Sequence, residues 1–190
     1  FGGQLSIDLE RMINHEKKFQ NSKSIYTSST GRKFFDRKII NIPTTGSAGQ
    51  SYGAFCNNGI SLFHVGTCND GVGKSATGGE IIIKNPSSSN YKSKNQVLIG
   101  NFALFGATGG RLFVEGEAGD RFAVRNSGST AVVEGVGEYC AEYMTNGTIL
   151  NIGNFSRGFG NGMSGGFAYQ YDPNKMLKNY ISTESVYIKY

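Results

Sequence analysis

Apolar positions return along the middle of the chain in step with glycine. Gly109, Gly128, Gly147 and Gly166 recur about every 19 residues, and the third and fifth residues beyond each are apolar. One column reads Leu112, Ala131, Leu150 and Tyr169, the other Val114, Val133, Ile152 and Tyr171. The position between them drifts from Phe113 and Val132 to Asn151 and Gln170. Side chains alternate faces along a strand, so both apolar columns are expected on one inner face. The register runs backwards through Gly78 and Gly59 if residues 85–96 (NPSSSNYKSKNQ) form a looped-out insertion. The columns then gain Leu62 and Ile81, and His64 and Ile83. A second short strand is predicted before each glycine, over 102–105, 121–124 and 140–143.

A fixed period with equivalent columns is the signature of stacked rungs, each unable to bury its apolar face alone. The predicted fold is all-β, a right-handed parallel β-helix of about 19 residues per rung with a short N-terminal helix. An antiparallel sandwich also needs many short strands but gives no such period. The repeat glycines Gly59, Gly78, Gly109, Gly128, Gly147 and Gly166 are assigned to corners, where positive φ or close backbone approach is needed. Residues 7–19 read as the amphipathic helix, with Ile7, Leu9, Met12, Ile13 and Phe19 apolar, and its role is to cap one end of the stack. The chain divides into an N-terminal helix and connector (1–45), the β-helix (46–172) and a C-terminal extension (173–190). It starts at Phe1 rather than Met, and its strand-like run 185–188 stops near Tyr190, so both ends read as cut.

Composition narrows the chemistry. Twenty-eight glycines with only 3 prolines and no triplet order exclude collagen. The net charge of +5 gathers partly in Lys17, Lys18, Lys23, Arg32, Lys33, Arg37 and Lys38, without interleaved aromatics. That pattern is a solvated surface rather than a nucleic-acid site. Cys56, Cys68 and Cys140 are odd in number and have no C-x-x-C spacing, which argues against disulfides, zinc and iron–sulfur ligation and suits a reducing compartment. No signal peptide or long apolar run is present.

Several short motifs tempt and fail. Residues 70–75 (DGVGKS) resemble a phosphate loop, but Cys68 stands where its first glycine belongs and a strand follows instead of a helix. Residues 162–166 (GMSGG) fit a nucleophile elbow, yet a strand leaves it and neither His15 nor His64 is placed as a base. Residues 158–162 (GFGNG) lack the strand–turn–helix setting of a dinucleotide fingerprint. Glu115 and Glu134 fall one rung apart as a structural ladder, with Arg111 or Arg125 as the expected neutralising neighbour. No catalytic, cofactor-binding or metal residue is assigned.

Longer stretches carry a resemblance. Residues 46–55 (GSAGQSYGAF), 118–135 (AGDRFAVRNSGSTAVVEG), Glu142-Tyr143-Met144 and 162–166 (GMSGG) are similar to the C-terminal glycine-rich (GXGXG) β-helix domain of the glutamate synthase large subunit. The likeness covers roughly 46–172. It implies a non-catalytic domain bracing the amidotransferase and FMN-binding domains of an enzyme that makes glutamate from glutamine and 2-oxoglutarate. FMN and an iron–sulfur cluster are implied for that parent enzyme, none for this segment. Implied partners are those domains and an electron-donating subunit or ferredoxin, with no nucleic acid and no membrane. The implied location is cytoplasmic, or plastid stroma in an alga or plant. A stand-alone subunit of an archaeal-type glutamate synthase or of formylmethanofuran dehydrogenase is the alternative, with an independent carbohydrate-active β-helix a third reading. Position 71 is glycine where the family usually has an aromatic, which predicts a looser corner there.

Overall fold

The structure, a computed structural model, describes residues 1–190 apart from Tyr91 and Thr183. Helix α1 (Gly3–Asn14) and a small antiparallel pair, β1 (Ile25–Thr27) and β2 (Lys33–Phe35), precede the solenoid. The long side of the rungs is formed by β3 (Ile40–Ala48), β4 (Ile60–Cys68), β5 (Thr77–Lys84), β7 (Gly109–Val114), β9 (Ser127–Gly135), β10 (Asn146–Asn154) and β11 (Phe167–Gln170). These strands are stacked in parallel in that order. A short second side comes from the end of β4 with β6 (Val97–Ile99) and β8 (Glu117–Ala118), and its residues Cys68, Ile99, Ala118 and Val136 are all buried.

The third side is built from turns rather than the second strands predicted at 102–105, 121–124 and 140–143. In each rung, alternate residues take positive φ: Phe102, Leu104 and Gly106, then Arg121, Ala123 and Arg125, then Tyr139, Ala141 and Tyr143. Bonds from Phe105 N–H to Phe102 O and from Ala107 N–H to Leu104 O close two successive turns, and the pattern repeats with Val124, Asn126, Glu142 and Met144 as donors. Positive φ at the third turn position is the type II geometry that glycine prefers. Rung-to-rung bonds offset the strain. Phe102 N–H donates forward to Asp120 O, Leu104 N–H back to Val72 O, and Gly106 N–H forward to Val124 O. At one end Gly53 N–H finds Phe1 O, and at the other Gly158 N–H finds Tyr180 O.

The aromatic and glycine residues of these corners interlock. A Cβ on Gly158 would lie 2.4 Å from the Tyr139 ring, and one on Gly71 3.0 Å from the Phe102 ring. The corner at Gly71 is therefore filled by its neighbour rather than loosened. Gly106 has φ +64 as well, but nothing within 4 Å of its would-be Cβ. Gly106→Ala is therefore expected to cost about 1 kcal/mol for backbone strain alone, and Gly158→Ala about 1–3 kcal/mol more for overpacking. Equal melting temperatures for the two variants would refute this.

Leu62, Ile81, Leu112 and Ala131 form one fully buried column, and His64, Ile83, Val114 and Val133 the next. The predicted columns fail after that. Ser127 pairs with Asn146, but Thr130 pairs with Thr148, so Gly128 and Ser129 oppose Gly147 alone. This β-bulge shortens the repeat by one residue and flips the following side chains. Ile149 and Asn151 enter the core, whereas Leu150 is partly exposed and Ile152, Tyr169 and Tyr171 face solvent. Asn126 holds the bulge, accepting from Gly128 N–H, Ser129 N–H and Ser129 Oγ–H and donating to Ser129 O.

Other boundaries differ too. The ladder begins at Ile40, which pairs with Ile60, before the expected boundary at 46. Helix α1 starts and stops earlier than 7–19, since Lys17 and Phe19 have positive φ, and it buries Ser6, Leu9 and Ile13 while Ile7 is exposed. Residues 185–188 form no strand. Leu177 and Ile181 of the extension rest on the core, and Val186 reaches Gly160. The described part of 85–96 is an exposed excursion with one short 3-10 turn, Ser93–Asn95, and Tyr91 lies outside the described residues.

Candidate functional site

The phosphate-loop look-alike is a corner. Gly71 N–H donates to Asn101 O, Gly73 N–H to Tyr52 O and Ser75 N–H to Phe105 O, so the amides that would cradle a phosphate are engaged between rungs. Residues 158–162 are the equivalent corner of the last rung. Ser164 lies just past it, its N–H bonded to Met144 O, and the chain continues into β11. The signal behind all these motifs is the spacing of positive-φ positions.

His64 is a satisfied core residue. It is 1% exposed, with Nδ1 2.8 Å from Thr44 Oγ1 and Nε2 3.1 and 3.2 Å from the carbonyls of Gly46 and Thr67. Carbonyls only accept, so Nε2 carries a proton and donates to them. Thr44 Oγ1 also meets Tyr52 Oη at 2.8 Å. Burial holds the Tyr52 phenol above its ordinary range, with the Thr44 bond opposing. At the far end of the same inner column, Asn151 Nδ2 donates to Gln170 Oε1 at 2.6 Å. The column is thus apolar in the middle and closed by a polar pair at each end.

Two charged sites escaped the sequence because their partners are distant in the chain. Arg32 makes a bidentate pair with Glu10 at 2.7 and 2.8 Å, in a groove of about 690 Å³ that also includes His15, Asn57 and Thr77. The hydrogen-bonded Arg32 guanidinium holds the Glu10 carboxyl below its usual range. The buried Glu80 carboxylate bonds Lys38 and lies 3.5 Å from Arg111. Both sites tie the N-terminal segment to the solenoid. Because Arg111 is engaged there and Arg125 sits over the Tyr143 ring, neither serves the Glu115–Glu134 ladder. Lys84 does, 3.7 Å from Glu115, while one Glu134 carboxylate oxygen is buried without a hydrogen-bond partner.

The three cysteines are unpaired and buried, in different rungs, which does not fit ligation of a shared cluster. Among the described residues no three His, Cys, Asp or Glu side chains converge to hold a metal, and no helix is long and apolar enough to cross a membrane. Burial pushes the Cys56 thiol up to about 11, Cys68 to about 12, and Cys140 higher still. A raised thiol pKa favours folding fully below the unfolded value, near 8.5. That contribution declines as pH rises through 8.5 toward the folded values, because the unfolded state loses its protons first. Denaturation midpoints are therefore expected to fall steadily above about pH 9, and less in the Cys140→Ser background after correction for its lower baseline. A midpoint flat from pH 8 to 10 would contradict this.

A parallel solenoid with its polar backbone groups engaged between rungs defines a structural class, the glycine-rich β-solenoid domain. The family model described as GXGXG motif matches residues 9–190, and the chain belongs to that family. It is 51% identical over 162 residues to a ferredoxin-dependent glutamate synthase of Antithamnion sp., covering 85% of this chain and 10% of that one. It is 50% identical over 147 residues to a glutamate synthase [NADH] of Schizosaccharomyces pombe, covering 77% and 7% respectively. The glutamate synthase [NADPH] large chain of Bacillus subtilis is 48% identical over 139 residues, 73% of this chain and 9% of that one. The chain thus spans about a tenth of the length of the relatives it matches.

Proposed function

We propose that this chain is a structural domain of a glutamate synthase large chain, bracing the amidotransferase and FMN-binding parts of an enzyme that forms glutamate from glutamine and 2-oxoglutarate, and that it is non-catalytic by itself. The observation that carries this is the 51% identity to a small share of a protein named glutamate synthase. The engagement of the corner amides, His64, Glu10 and Glu80 in structural bonds supports it. In this reading the repeat glycines Gly59, Gly78, Gly109, Gly128, Gly147 and Gly166 serve rung packing: Gly78, Gly109, Gly128 and Gly147 lie in strands rather than at the expected corners, each with a neighbouring atom within 2.6 Å of a would-be Cβ. FMN and the iron–sulfur cluster belong to other domains of the parent. The electron donor is a ferredoxin or a nicotinamide-oxidising subunit, and the enzyme works in the cytoplasm, or in the plastid stroma of an alga or plant.

The test is direct. The purified 190-residue chain is expected to show no flavin absorbance and to release no ammonia from glutamine. Either signal above a blank sinks the non-catalytic reading.

A further inference from the structure

The last two rungs keep Ile149 and Ala168 inside but are polar in the column beside them. In β10 and β11 the inner face carries Asn151 and Gln170, bonded to each other, while the outer face carries Ile152, Phe167, Tyr169 and Tyr171 at 46%, 65%, 55% and 63% exposure. The rings of Phe167 and Tyr169 stack 6.2 Å apart in the open. The bulge at Gly128 and Ser129 produces this arrangement, since without it these side chains would fall into the predicted inner columns. A contiguous apolar patch of this kind on a soluble surface marks a place where another surface belongs.

The margin of the patch indicates what covers it. Val133 pairs with Asn151 and Gly135 with Asn154, so Ile152 and Gly153 together oppose Glu134 at the margin of the patch. One Glu134 oxygen is shut away without a hydrogen-bond partner, a cost that a cation held against the other oxygen would offset. We propose that the outer face of β10 and β11 is a docking surface for another domain of the parent polypeptide, which presents an apolar ridge over Tyr169 and a Lys or Arg to Glu134. This rests on the bracing reading above, and the length of the relatives, about ten times the stretch matched, supplies the polypeptide from which the partner comes.

Maleimide labelling of Tyr169→Cys in the full-length parent polypeptide tests the proposal, with the native rate divided by the rate after denaturation. A covered site is expected to label at least about tenfold more slowly when native, and an open site within about twofold. Glu134→Lys, added to Tyr169→Cys, is expected to restore labelling by setting like charges against each other. Labelling within twofold of the denatured rate overturns the proposal. Protection that survives Glu134→Lys overturns the basic partner, and protection that vanishes on hundredfold dilution assigns the patch to a second copy instead. An open Tyr169→Cys site in an active enzyme leaves the bracing reading standing, whereas flavin or ammonia from the isolated chain removes that reading without reference to the patch.

Discussion

Ile149→Ala is expected to destabilise the protein by about 2–5 kcal/mol, and Leu150→Ala by less than about 1 kcal/mol. The two residues are adjacent and similar in size, so the contrast isolates the face on which each lies. Ile149 is fully buried and pairs with Ala131 in the inner column, while Leu150 pairs with Val132 on the outer face. Truncating Ile149 leaves a cavity bounded by rungs that cannot collapse independently, because each is hydrogen-bonded to its neighbours. Urea or guanidinium titration of both variants gives the answer. A Leu150→Ala cost equal to or above that of Ile149→Ala would mean that the bulge is absent and the strict repeat of about 19 residues continues.

Asn126→Ala is expected to be comparably severe, on the order of 3 kcal/mol or more, since several buried polar groups lose partners at about 1–3 kcal/mol each. Asn126 and Ser129 are both fully buried. The amide side chain answers two N–H groups, one hydroxyl and one carbonyl, and nothing in an alanine replaces it. Asn126→Asp keeps the three acceptor roles and loses the donor to Ser129 O, so it is expected to fall between wild type and alanine. A loss below about 1 kcal/mol for Asn126→Ala would show that the bulge is held by the strands alone.

These two sites also mark where the sequence could be read and where it could not. Four rungs of inner residues, from Leu62 to Ala131 and from His64 to Val133, follow from glycine spacing because apolar side chains and rung length agree there. Leu150 and Ile152 deceive because they are as apolar as any core residue, and only the extra residue in β9 turns them outward. The clue was present in Asn151 and Gln170, polar residues drifting into what looked like the outer column. The corners were misread for another reason. Phe102, Phe105, Phe122, Val124 and Tyr143 have side chains that suit strands, and nothing local announces a left-handed backbone at alternate residues that is held by the neighbouring rung. The Glu10–Arg32 and Glu80–Lys38 pairs join residues 22 and 42 positions apart, beyond any local pattern.

The corner ladder has a consequence for growth. Each corner offers its amides to the rungs on either side, so a stack of such corners is in principle a polymer that any further rung could extend. Phe1 O occupies the place of a preceding rung at Gly53, and Tyr180 O that of a following rung at Gly158. The two act as chain terminators, as a monofunctional reagent ends a condensation polymer. The final rung is therefore blocked at Gly158 against another copy of itself while its sheet side stays open, so that end is shaped for a dissimilar partner rather than for a further identical rung.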